Sequence, residues 1–186
     1  MSRKISDIIL IGPISTGKST LGKLLSHKLG IPQCSIDDVR LDYYKEINYD
    51  EDLAKQIREK EGFQGIYRYW KPFEAYAVER VLSECSSCVI DFGAGHSVYE
   101  DDELFRRVQQ VLKPYINVVL ILPSSDLEES IQILNKRNGG IVSNGFDLNE
   151  YFVKHHSNYD LAKFVVYTKG KSPEETRDDI LKIVKL

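Results

Sequence analysis

Short apolar runs alternate along this chain with longer segments in which leucines recur at helical spacing. Residues 7–11 (DIILI), 33–36 (QCSI), 88–91 (CVID), 117–122 (NVVLIL) and 164–167 (FVVY) are the strand candidates. Between them, Leu21, Leu24, Leu25 and Leu29 fall at i, i+3, i+4 and i+8, and further helix patterns cover 73–82, 104–112, 127–134 and a terminal segment from Pro173. Strands that are apolar nearly throughout, separated by helices, predict a parallel sheet covered on both faces and therefore an α/β fold. No internal repeat, linker or low-complexity stretch interrupts the pattern, so residues 1–186 read as one domain.

Composition narrows the partners. A hydrophobic fraction of 42% with 28% charged residues is that of a globular domain. The net charge is −3 and Lys and Arg are scattered, which offers no basic stripe to a nucleic-acid backbone. No apolar run approaches the roughly 18–20 residues that cross a bilayer, and the opening MSRKISDIILIGP lacks the apolar core of a signal peptide, so no membrane association and a cytoplasmic location are expected. Three cysteines suit a reducing compartment. Cys85 and Cys88 form a C-x-x-C pair without a second pair to complete a zinc site, and read as a helix end and the start of a buried strand.

Chemistry enters between the first strand and the first helix. Gly12, Pro13, Ile14, Ser15, Thr16, Gly17, Lys18, Ser19 and Thr20 spell G-x-x-x-x-G-K-S-T. The glycines let backbone N–H groups curl around phosphate oxygens, and the helix beginning near Lys18 aims its positive end at them. Lys18 is expected on the β and γ phosphates and the Ser19 hydroxyl on magnesium. Asp91 ends an apolar strand in the manner of a Walker B aspartate, which places a second metal-side group beside Ser19. ATP and Mg2+ are the expected cofactors. NKRN at 135–138 lacks the aspartate of a guanine-reading N-K-x-D and sits at a helix end, which disfavours a GTPase, and the chain is short for a motor ATPase. A kinase remains, with a small-molecule hydroxyl acceptor as partner.

From this point the residues resemble the shikimate kinases. GPISTGKSTLGKLLSHKLGIPQCSIDDV (12–39) is similar to that family's opening, WKPFEAYAVERVL (70–82) to its F-R-x-x-E helix, DFGAG (91–95) to its G-G-G loop, and KRNGG (136–140) to the start of its lid. NYDLAKFVVYTKGKSPEET (158–176) resembles its closing strand and helix. The resemblance implies a P-loop NTPase of the nucleoside-kinase-like, three-layer kind, with a parallel five-stranded sheet and a mobile lid at about residues 138–150. It implies Asp37 as the carboxylate that orients the acceptor hydroxyl, Arg137 as the cation over the phosphates, and Gly93, Ala94 and Gly95 as main chain approached by substrate. It also implies residues 169–173 as the adenine loop and a monomer or weak dimer.

Departures from the family pattern bear on the acceptor. Ser35 stands where the family has the first acid of its D-x-D. The three positions matching its carboxylate-binding arginines are Lys71, Asn144 and His155. Since each charge-assisted bond contributes roughly 1.5–3 kcal/mol, losing three forked donors points to an altered acceptor site. Tyr67, Tyr69, Trp70, Phe73 and Tyr76 then read either as an aromatic wall for a different acceptor or as core. Alternatives are a true shikimate kinase, a nucleotide kinase, and an ATP-binding module or slow ATPase without kinase turnover.

Overall fold

The computed structural model describes residues 6–143 and 145–186. Its centre is a parallel five-stranded sheet: β1 (Ile8–Ile11), β2 (Gln33–Ser35), β3 (Val89–Asp91), β4 (Val118–Leu122) and, after a small hairpin of β5 (Val142–Ser143) and β6 (Phe146–Asp147), β7 (Phe164–Tyr167). The strand order is β2-β3-β1-β4-β7. All five expected strands are present, to within a residue at their ends.

Every residue of β1 and β4 is buried, as a strand covered on both faces requires. Alternate residues serve opposite layers. Ile8 and Leu10 pack with Leu21, Leu25 and Ile180, from helices α1 (Lys18–Leu29) and α8 (Pro173–Ile183). Ile9 and Ile11 face the other way, onto Val78, Val81 and Val108 of α3 (Glu51–Glu84) and α4 (Asp102–Leu112). Parallel strands deliver their carboxyl ends to one edge, so the loop after β1 and Asp91 at the end of β3 share that edge; Leu10 is in register with Asp91.

Several elements exceed what the apolar pattern predicts. The helix expected over 73–82 is the end of a much longer α3 that begins at Glu51, where the Asp50 side chain accepts from the Leu53 amide. It breaks at Gly62, whose φ of 67° and ψ of −156° are open to glycine, and it carries Pro72 inside. These two residues punctuate the sequence and conceal the helix. A helix α2 (Ile36–Glu46) starts directly after β2. Between the fourth and fifth sheet strands lie α5 (Leu127–Asn138), the hairpin, α6 (Leu148–Lys154) and α7 (His156–Leu161).

The hairpin occupies the segment expected as the lid. Its feet are tied by amides: Asn149 Nδ2 donates to Asn135 Oδ1 at 2.6 Å and to Asn138 Oδ1 at 3.0 Å, and Asn138 Nδ2 donates back to Asn149 Oδ1 at 3.1 Å. Ile141 and Phe146 pack against Tyr67, Leu148 and Phe152. Cys85 ends α3 and Cys88 is buried just before β3, both as free thiols. Among the described residues no helix is long and apolar enough to cross a membrane.

Candidate active site

The loop from Gly12 to Thr20 wraps around the start of α1. Gly12 has φ of 135°, and a Cβ there would lie 2.6 Å from the Ile121 carbonyl oxygen, so only glycine fits against β4. Gly17 caps α1 with φ of 93° and offers no side-chain acceptor, and the first turn of the helix has no acid. The amides of that turn are thereby left to an anion, which the helix dipole favours. Lys18 is buried, and its Nζ donates to the Gly12 and Pro13 carbonyls at 2.8 and 2.7 Å. Burial pushes its pKa down to about 8, while the charges of Asp37 and Asp91 pull it back up.

Asp91 gathers three donors. Oδ1 accepts from Ser19 Oγ at 2.7 Å and Ser35 Oγ at 2.9 Å, and Oδ2 accepts from Gln33 Nε2 at 2.7 Å. Gln33 and Ser35 belong to the neighbouring strand β2, so the sheet register itself aims these donors at the end of β3. A hydroxyl beside a carboxylate is a donor set suited to magnesium, which keeps several waters and takes its other ligands from phosphates. The residues present therefore fit the metal that the phosphate loop implies. Ser35, where the family pattern has an acid, is a neutral donor to Asp91.

On the other side of the loop, Arg137 at the end of α5 donates to the Ser15 carbonyl at 3.2 Å, and Asn138 reaches Ser15 Oγ at 3.5 Å. A cavity of about 270 Å³ opens there, lined by Gly17, Thr20, Arg137, Thr168, Lys171 and Pro173. The expected adenine loop and the expected phosphate cation thus meet at one cleft beside the phosphate loop.

A second cavity, of about 420 Å³, lies across the phosphate loop and shares Ile14 with it. Asp37, in the first turn of α2, and Gly93, Ala94 and Gly95 line it, as do Tyr67 and Trp70. Phe73 instead joins Tyr44, Tyr49 and Tyr69 in an aromatic cluster within the core. Tyr76 points outward, bonded to Glu46 at 2.7 Å. The aromatic segment is accordingly wall at two positions and packing at the others.

The three expected carboxylate-binding positions fare differently. Lys71 is turned inward: its Nζ bonds the Gly95 and Val98 carbonyls, each at 2.9 Å, and lies 3.7 Å from the centre of the Tyr67 ring. It is absent from the lining of the Asp37 cavity because Glu74, one turn along α3, draws it beneath the Gly93–Gly95 loop. His155 caps α7 by accepting from the Ser157 amide and stacks on His156, and it does not line the Asp37 cavity. Asn144 lies outside the described residues.

The cavity holds one cation that the motif comparison misses. Arg40 stands one turn after Asp37 on α2, 3.5 Å from its carboxylate and 5.9 Å from the Trp70 ring centre. The i, i+3 spacing of Asp37 and Arg40 was the available signal. His96, on the 3₁₀ turn Ala94–Ser97, also lines the cavity and has no counterpart in the motif reading.

No family model matches the chain. Curated relatives do match along its whole length: a shikimate kinase of Flavobacterium psychrophilum is 24% identical over 95% of this chain and 98% of its own, and one of Persephonella marina is 26% identical over 94% and 96%. The chain is a shikimate-kinase-like P-loop kinase. Its fold is that of a shikimate kinase from Acinetobacter baumannii solved in complex with shikimate, with a TM-score of 0.64 at 19% identity over 96% of this chain and 92% of that one. In this shikimate-kinase-like kinase the phosphate loop is flanked by two cavities: Gly17 and Arg137 line one, and Ile14 and Asp37 line the other.

Proposed function

We propose that this protein transfers the γ-phosphoryl group of ATP to a hydroxyl of a small-molecule acceptor seated over Asp37. The observation that carries this reading is the placing of Asp37 within electrostatic reach of Lys18 in a cavity that borders the phosphate loop. Asp37 orients the acceptor hydroxyl and takes its proton as the new oxygen–phosphorus bond forms and the bond to the β-phosphate oxygen breaks. Lys18 and Arg137 meet the charge that builds on the transferring group. Ser19 and Asp91 would hold a magnesium ion, which when bound neutralises and orients the phosphates.

The acceptor site is altered from that of the resembling family. Lys71 spends its charge on Glu74 and two carbonyls, and His155 caps α7 outside the cavity lining, so neither offers a forked grip on a carboxylate. One observation favours a second reading, a true shikimate kinase: Arg40 brings a guanidinium into the cavity from a different element. Magnesium- and ATP-dependent ADP release separates the two. An altered site gives a flat response to shikimate and stimulation by an uncharged polyol or sugar. Strong stimulation by shikimate alone establishes the second reading, and no response to any acceptor in a protein that binds ATP sinks both.

A further inference from the structure

His96 is fully buried, yet its ring borders the acceptor cavity. Nε2 lies 3.5 Å from the Tyr44 hydroxyl, and Nδ1 has no hydrogen-bond partner. A Cβ placed on Gly93 would come within 2.3 Å of Asp37 Oδ1 and 2.7 Å of His96 Nδ1. Both atoms therefore crowd the Gly93 α-carbon at the edge of the cavity, where only a glycine fits.

The ring is neutral there. Burial pushes its pKa down to about 3, with Arg40 and Lys71 pushing the same way and Asp37 opposing. A neutral imidazole carries one N–H and one lone pair. Burial also drives the Tyr44 hydroxyl well above its ordinary range, so Tyr44 keeps a proton that it can donate to Nε2. In the tautomer in which Nε2 accepts from Tyr44, the ring proton sits on Nδ1, on the side of Asp37. A buried N–H is costly without an acceptor, and the group left open at that point is an oxygen of whatever occupies the cavity.

We propose that His96 is a substrate-binding residue: its Nδ1–H donates to an oxygen on the carbon next to the one whose hydroxyl Asp37 holds. This rests on the acceptor-site reading above and sharpens it. The pocket selects acceptors with adjacent oxygens, such as a vicinal diol, over those with an isolated hydroxyl. Discrimination by a buried hydrogen-bonding group is steep, because the analogue lacking the oxygen leaves the protein's group unpaired.

The test uses the full chain with ATP bound and two probes, a cyclohexane diol with adjacent cis hydroxyls and cyclohexanol, with the histidine side-chain nitrogens followed by NMR. The diol is expected to move the His96 Nδ1 resonance and to bind about tenfold more tightly than the mono-alcohol. His96→Phe should erase that preference, and His96→Asn, which keeps an N–H near the same place, should retain part of it; cooperative thermal unfolding of each variant checks that it is folded. Equal binding of the two probes, or a preference that persists in His96→Phe, overturns the role of His96 and leaves the kinase reading standing. No binding of either probe to a protein that holds ATP overturns both.

Discussion

Lys71 Nζ lies 2.5 Å from Glu74 Oε2, with the two side chains only 6% and 4% exposed. This pair supports the Gly93–Gly95 loop that lines the Asp37 cavity, since Lys71 also bonds the Gly95 and Val98 carbonyls and a Cβ on Gly95 would strike Glu74 Oε1 at 2.3 Å. Removing one partner leaves the other charge buried and alone, a loss of about 3–5 kcal/mol. Lys71→Met is therefore expected to destabilise the fold by that amount in urea unfolding, and Lys71→Met with Glu74→Leu to recover much of it. If the single change were neutral, the ion pair would not be what holds the loop.

Lys18 gives the nucleotide site a pH dependence whose sign follows from burial. Its pKa of about 8 lies below the ordinary lysine value, so the ammonium is present below pH 8 and lost as pH rises through it. ATP binding needs the charge, so affinity is expected to hold below pH 8 and fall above it, with proton uptake on binding near that pH measurable by calorimetry in buffers of different ionisation enthalpy. Asp37 holds this pKa up, so Asp37→Asn should move the midpoint to lower pH while cutting acceptor-stimulated ADP release by roughly 10²–10⁴-fold. Lys18→Ala should lower phosphoryl transfer by about 10³-fold; transfer left intact would remove the basis of the assigned roles.

The phosphate loop was legible in sequence because its motif is contiguous: strand, glycines, Lys18 and helix follow one another, and Lys18 bonds carbonyls only five and six residues back. The acceptor side was only partly legible. Asp37 and the Gly93–Gly95 loop came from resemblance, whereas the direction of Lys71 is decided by Glu74 three residues on and by carbonyls some two dozen residues away. Arg40 and His96 carry no motif, and their roles come from the way α2 and the 3₁₀ turn converge on one cavity. Tertiary packing, which no spacing rule encodes, sets that convergence.

Asp91 should control the metal requirement more than the fold of the loop. Asp91→Asn keeps the shape but loses the negative charge toward which Ser19, Ser35 and Gln33 all donate. The magnesium concentration for half-maximal ADP release is expected to rise about 10–100-fold. An unchanged magnesium titration would place the metal elsewhere.

Arg40 decides whether the cavity favours an anion. Arg40→Ala should weaken a carboxylate-bearing acceptor such as shikimate by about 10–100-fold, in proportion to one charge-assisted bond, and leave an uncharged polyol nearly unaffected. Acceptor titrations of ADP release in both proteins read this directly. Parallel losses for both acceptors would mean that Arg40 serves only to hold Asp37.

The amides at the feet of the hairpin have a consequence for how such a site can change. Asn135, Asn138 and Asn149 clasp the two ends of the segment to each other at its base. The hairpin therefore has a fixed base: an exposed position such as Val142 could be exchanged while Ile141, Phe146 and Leu148 keep their packing on Tyr67 and Phe152. Evolution or design could thus re-equip this hairpin without rebuilding the cavity that Asp37, Gly93 and His96 line.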